Sequence, residues 1–346
     1  MDALQVHTVT NERELENVLS APYVEDIEAV SRYSGDLIVL GAGGKMGPTL
    51  VKRAAAARDA AGRNFRIIAV SRYSDPASRR SIEAAGAECL PADLLDEKSL
   101  AELPKCPHVI FMAGMKFGSS GNQPLTWAMN TYLPGRVAEH FRDSEIVAFS
   151  TGNVYPLVPI SSGGSKESDT PEPVGEYAQS CLGRERMFEH FAMTNSTPLC
   201  LLRLNYAVEA RYGVVLDLAQ KIVEQTPISL KMGYVNIIWQ GDANSICLRS
   251  FGLCSSPARI LNLTGTEIFR VRWLAEELGS RLGIEPLFED TEGTNALLNN
   301  ASECAELFGE PKVSVQEVLD LVVHWVKIGG PTLGKPTKFQ VRDGKF

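Results

Sequence analysis

The residues with the clearest chemical pattern lie early in the chain. Asp36-Leu-Ile-Val-Leu40 runs straight into Gly41-Ala-Gly-Gly-Lys-Met-Gly47, and Pro48 opens the amphipathic stretch that follows. Glycines permit a tight turn and let the backbone approach a pyrophosphate, whose charge is stabilised by the free N–H groups of a helix N-terminus. The loop therefore marks Gly41, Gly43, Gly44, Lys45, Met46 and Gly47 as candidates for holding a dinucleotide. At the end of the second β-type run, an acid would bond the ribose 2'-hydroxyl and exclude a 2'-phosphate. The chain has Val70-Ser-Arg72 instead, with Arg79 and Arg80 following. Ser71 and Arg72 suit a phosphate and favour NADP over NAD; Asp75 keeps NAD as the alternative.

Other chemistries find little support. The seven cysteines are odd in number and form no C-x-x-C pair, and the five histidines are scattered. A disulfide framework and a metal site are not expected, so no metal ligand is assigned. No G-x-S-x-G elbow with a placed histidine points to a hydrolase.

These residues need elements to hold them. Short β-branched runs at 36–40, 65–71, 88–90, 108–112, 145–149, 198–204 and 259–263 alternate with amphipathic stretches. The latter lie at 46–61, 76–86, 125–142, 176–193, 213–224, 241–252, 269–283 and 314–328. Such alternation demands crossover helices and predicts an α/β Rossmann-type doubly wound parallel sheet, with a smaller C-terminal substrate lobe. The expected division is a helical N-terminal extension over 1–33 and a nucleotide-binding domain over 34–206 and 236–263. A substrate lobe over 207–235 and 264–330 and a loose tail over 331–346 complete it. Residues 158–175, rich in Ser, Gly and Pro, read as a long loop.

The chain has 346 residues, 44% apolar and 22% charged, which is the composition of an ordinary globular protein. Lys and Arg total 34 against 42 acids, a net charge of -8, and no basic patch with interleaved aromatics points to nucleic acid. No apolar run approaches membrane-spanning length, and no secretory signal is visible, so a cytoplasmic protein is expected.

Further segments extend the pattern. Ala92-Asp93-Leu94 follows the third strand, Val109-Ile-Phe-Met-Ala-Gly114 forms the fourth, and Asn130 lies in the next helix. Phe149-Ser-Thr-Gly-Asn-Val-Tyr155 stands at the fifth, and Leu307-Phe-Gly-Glu-Pro311 precedes a closing helix with Trp325. In this order the chain resembles the extended short-chain dehydrogenase/reductases, the NAD-dependent epimerase/dehydratase family, over residues 36–328. The resemblance implies that Asp93 and Leu94 contact adenine and that Ala113, Gly114 and Asn130 belong to the cofactor site. It implies Thr151 as the hydroxyl that bonds a substrate oxygen and Tyr177 as the catalytic tyrosine of a Y-x-x-x-K motif. It also implies a homodimer through the helices near 125–142 and 176–193.

Two departures bear on the chemistry. The motif reads Tyr177-Ala-Gln-Ser-Cys181, with cysteine at the lysine position. A free phenol titrates near ~10 and depends on a neighbouring cation to lose its proton at neutral pH. Lys116, in an Ala113-Gly-Met-Lys run like that of UDP-galactose epimerases, is the candidate substitute. The second departure is Val235, which stands where the family carries an arginine for a sugar-nucleotide diphosphate. A smaller sugar, a sugar acid or another hydroxy-carbonyl compound fits better. The expected function is NAD(P)-dependent hydride transfer on a sugar-like small molecule, as an oxidoreductase, epimerase or dehydratase. The alternative is a catalytically impaired NADP-binding sensor.

Overall fold

The computed structural model describes residues 9–116 and 121–345. Seven strands form its central sheet: β1 (Leu37–Leu40), β2 (Ile67–Ser71), β3 (Glu88–Pro91), β4 (His108–Phe111), β5 (Glu145–Thr151), β7 (Leu199–Leu204) and β12 (Arg259–Leu263), with the two-residue β6 (Val158–Pro159) lying outside it. The order is β12-β7-β5-β4-β1-β2-β3, and every pairing is parallel. This is the doubly wound sheet expected from the alternating runs. β1 and β4 are buried at every position, which is why they read as unbroken apolar runs with no polar alternation.

Helices α1 (Glu12–Ser20), α2 (Val24–Ser31) and α3 (Gly47–Ala60) pack on one another, and α4 (Pro76–Ala84) follows β2. Asn11 caps α1 by accepting from the Glu14 N–H at 3.0 Å. Asp26 and Arg53, both fully buried, pair at 2.6 Å and join the two N-terminal helices to α3. Ser245, on α10 (Gln240–Arg249), donates to the same carboxylate at 2.5 Å. Beyond the short α5 (Glu97–Ala101), a helical segment runs from α6 (Gln123–Trp127) through a π turn at Ala128–Tyr132 into α7 (Leu133–His140). It packs against the long α8 (Gly175–Asn195).

A second core lies apart from the sheet. It gathers α9 (Val214–Val223), α11 (Val271–Leu282) and α13 (Val315–Lys327), with Trp239 and Trp325 among its buried side chains. Leu15 and Leu19 of α1 also enter it, as does Phe339. The segment 158–175 is fastened by Ser165, whose N–H donates to Leu298, and by Glu167, which accepts from the Asn262 N–H at 2.8 Å.

The expectation of a loose tail over 331–346 is corrected. Thr337 donates to Asp217 through its backbone N–H at 2.8 Å and its hydroxyl at 2.5 Å. Arg342 donates to the carbonyls of Lys231 and Asn295, and Phe339 is buried. Composition suggested looseness because each of these anchors is supplied by a residue distant in sequence.

Candidate active site

Strands are added outward from β1 in one direction through β3 and in the other from β4, and a cleft opens at this switch, at the C-terminal ends of the strands, where a doubly wound sheet binds its ligand. Gly41 leaves β1 with φ at +92°, and a Cβ on it would stand 2.6 Å from the Ala113 nitrogen. Only glycine lets this turn lie against the segment after β4. The N–H groups of Gly41 and Ala42 both donate to Val70 at the end of β2, at 2.9 and 3.0 Å. α3 starts at Gly47 with proline in its first turn and no side-chain cap, which leaves terminal N–H groups for an anion.

The cleft has two halves of about 320 Å³ each, sharing Gly41, Gly44, Met112, Gly114 and Lys335. The first is bordered by Gly43, Ser71, Arg72, Asp93, Leu94 and Ala113. Ser78 also borders it, and its buried hydroxyl has no hydrogen-bond partner among the described residues. Asp75 is committed to capping α4, accepting from the N–H groups of Ala77 and Ser78 at 2.9 and 3.2 Å. An uncapped helix start, a glycine turn and an orphaned hydroxyl beside an arginine together fit a dinucleotide.

The second half holds Lys45, Met46, Lys116, Thr151 and Tyr177. Thr151 ends β5, and its Oγ1 accepts from the N–H of Asn153 at 3.2 Å and from its Nδ2 at 2.9 Å. The hydroxyl thus caps the following turn. Tyr177, in the first turn of α8, reaches Thr151 and Cys181 with its phenol. Burial, and then Cys181, push the phenol well above its ordinary value. Cys181 is fully buried against Val154 and Tyr155, and burial raises its thiol too, so it is a poor nucleophile. Lys116 Nζ stands 5.9 Å from the centre of the Tyr177 ring, and burial pulls its ammonium down to about 8.

Sequence reasoning missed Arg184. It lies seven residues after Tyr177 and three after Cys181, on the same face of α8. Its Nη1 donates to Phe149 at 2.8 Å and its Nη2 to Asn130 Oδ1 at 2.9 Å. A Cβ on Gly114 would lie 2.4 Å from Nη2, so the guanidinium runs directly under the cleft backbone. After Cys181, it is the next influence on Tyr177 and acts to lower the phenol. The available signal was its helical register with Tyr177.

Neither Gly47 nor Asn130 borders the cleft. Asn130, fully buried on the π turn, accepts from the Met115 N–H at 2.8 Å and donates to the Met115 carbonyl at 2.9 Å. It also donates to Ser180 Oγ at 3.0 Å and accepts from Arg184. This amide holds the Lys116 segment, α8 and the guanidinium together. Arg211 is buried and paired with Glu209, Glu12 and Glu16.

No protein-family model matches the chain, and no curated protein matches it in sequence. Solved structures do match in fold. UDP-glucuronic acid 4-epimerase from Bacillus cereus, determined with NAD and a fluorinated UDP-sugar, superposes with a TM-score of 0.70 at 16% identity, covering 84% of this chain and 99% of that one. The chain has the fold of these UDP-sugar epimerases. UDP-glucose 4-epimerase from Thermotoga maritima gives 0.69 at 17% identity over 84% and 98% of the two chains. The Thermus thermophilus enzyme, with NAD, gives 0.68 at 19% over 83% and 97%. The epimerase fold thus carries, in this chain, Cys181 beside the tyrosine and Arg184 one turn beyond. No helix among the described residues is long and apolar enough to cross a membrane, and none of their His, Cys, Asp and Glu side chains gather in threes to hold a metal.

Proposed function

We propose that this protein is an NADP-linked oxidoreductase that reduces the carbonyl group of a sugar-like small molecule. The observation that carries the reading is the meeting of Thr151, Tyr177 and Lys116 in one recess beside the glycine turn. When bound, reduced nicotinamide supplies the hydride. Tyr177 keeps its proton at neutral pH, because burial and the neighbouring thiol disfavour the phenolate. It is therefore suited to donate that proton to the carbonyl oxygen as the hydride reaches the carbon. Thr151 hydrogen-bonds the same oxygen and fixes its position. Arg184 and Lys116 offset the charge left on the phenolate until it takes a proton back from solvent.

Ser71, Arg72 and the orphaned Ser78 hydroxyl suit a 2'-phosphate, and Asp75 is occupied in capping α4. The outward helices near Tyr132 and Met193, both exposed, are the proposed dimer face.

Titration of the protein with NADPH and NADH, followed by nucleotide fluorescence, tests the reading. NADPH is expected to bind at least about tenfold tighter, since one charge-assisted phosphate contact contributes ~1.5–3 kcal/mol, and Arg72→Glu is expected to reverse the order. Tyr177→Phe should bind NADPH normally and lose roughly 10²–10⁴ in turnover of a reducible carbonyl substrate. Tighter binding of NADH, or intact turnover in Tyr177→Phe, refutes it.

A further inference from the structure

Among the described residues, four cationic side chains border the substrate half of the cleft and no acidic one does: Lys45, Lys116, Arg184 and Lys335. This occurs in a chain whose net charge is -8. The four come from separate places: the glycine turn, the segment after β4, the middle of α8 and the C-terminal segment that lies across the cleft. Lys45 turns away from its own loop. Its Nζ donates to the Ala207 carbonyl at 3.0 Å and lies 3.5 Å over the Tyr212 ring.

Two carboxylates act on these cations from outside the recess, Glu209 on Lys45 and Asp217 on Lys116, and each has other partners. Glu209 accepts from the Arg211 backbone at 2.8 Å and from its Nε at 3.2 Å. Asp217 accepts from Thr337 twice. Neither borders the cavity. Crowding like charges in a partly buried recess is unfavourable, and it is felt: burial first, with Lys116, Lys335 and Arg211 adding to it, draws the Lys45 ammonium down to about 7 against the pull of Glu209. The coenzyme's diphosphate does not account for the whole cluster. Lys335 borders both halves, but Lys45, Lys116 and Arg184 border only the half away from Ser71 and Arg72.

We infer that the substrate is an anion, a small hydroxy-carbonyl compound whose carboxylate or phosphate is held between Lys45 and Lys335. The inference rests on the functional reading above and adds the substrate's charge class to it. Carboxylate and phosphate share the chemistry of an anionic oxygen accepting from ammonium groups. Their source is separated by using one probe of each kind.

The test follows the thermal midpoint of the full chain with glucuronate, inorganic phosphate and uncharged glucose, at ionic strength matched with sodium chloride, with and without saturating NADPH. A ligand at about ten times its dissociation constant raises the midpoint by roughly 2–3 °C. Glucuronate or phosphate is expected to do so in the presence of NADPH, glucose is not, and the more effective anion identifies the group recognised. Lys45→Met and Lys335→Met, each alone, are expected to remove at least half of the shift. An effect no larger than that of sodium chloride, an equal effect of glucose, an anion effect abolished by NADPH, or full retention in both variants overturns the inference. Should NADPH fail to bind while the anion effect persists and both lysine variants lose it, the functional reading falls and the anion site stands.

Discussion

In the proposed reduction, Lys116 and Arg184 together stand in for the lysine that position 181 lacks. Burial draws the Lys116 ammonium down to about 8. Below that value the ammonium is present, and above it the proton is lost. Turnover is therefore expected to fall as pH rises through about 8, with Lys116→Arg moving the fall upward or removing it. A pH profile of kcat for the two proteins checks this, and an unchanged profile in Lys116→Arg denies Lys116 the role. At this scale the sequence was informative for loop residues and less so for α8. Glycines in a turn announce a backbone need, and Ser71 and Arg72 at a strand end do border the cleft. An arginine inside an amphipathic helix announces nothing until its register with Tyr177 is traced and the Gly114 backbone is found against it.

Among the elements, β4 carries a titratable group in an unusual place. His108 starts the strand with its Nε2 accepting from the Ser34 N–H at 2.9 Å and its ring against Tyr33 and Phe251. A protonated ring could not accept that bond, and burial pushes the imidazole down to about 4. Between pH 6.5 and 4 the unfolded chain binds a proton that the folded chain does not. Stability present above 6.5 is accordingly lost as pH falls, by at most about 3 kcal/mol. Chemical denaturation of the protein and of His108→Gln should show a shallower acid slope in the variant, and parallel slopes would contradict the account. The sheet itself was legible because strands buried on both faces leave continuous Val, Ile and Leu runs. α5 and α12 (Ser302–Phe308) were not, being too short to establish a period. The long stretch read over 125–142 is one helical path interrupted by the π turn that carries Asn130.

For the molecule as a whole, the buried Asp26–Arg53 pair, with Arg53 also donating to the Leu19 carbonyl, joins the N-terminal helices to α3, the helix after β1. Breaking it leaves a charge without its partner in a site that excludes water. Arg53→Met is expected to cost roughly 3–5 kcal/mol of unfolding free energy, and the double variant Asp26→Leu with Arg53→Met to recover a large part of that. Urea titration of the three proteins decides it, and a cost below about 1 kcal/mol for the single variant would show that the pair is not coupled to global unfolding. The C-terminal segment was illegible for a related reason. Its composition is that of a linker, and its order comes from Asp217, Asn295 and Lys231, which only the folded chain brings within reach.

The Asn130 carboxamide uses both ends on three residues at once, Met115 after β4 and Ser180 and Arg184 of α8. Met115 meets it through backbone groups alone, whereas a substitution at Ser180 or Arg184 alters the hydrogen-bond valence left over for the other, so tolerated changes at those two must arrive together. In a lineage of such sequences, positions 130, 180 and 184 should drift as a block, whatever side chain stands at 115.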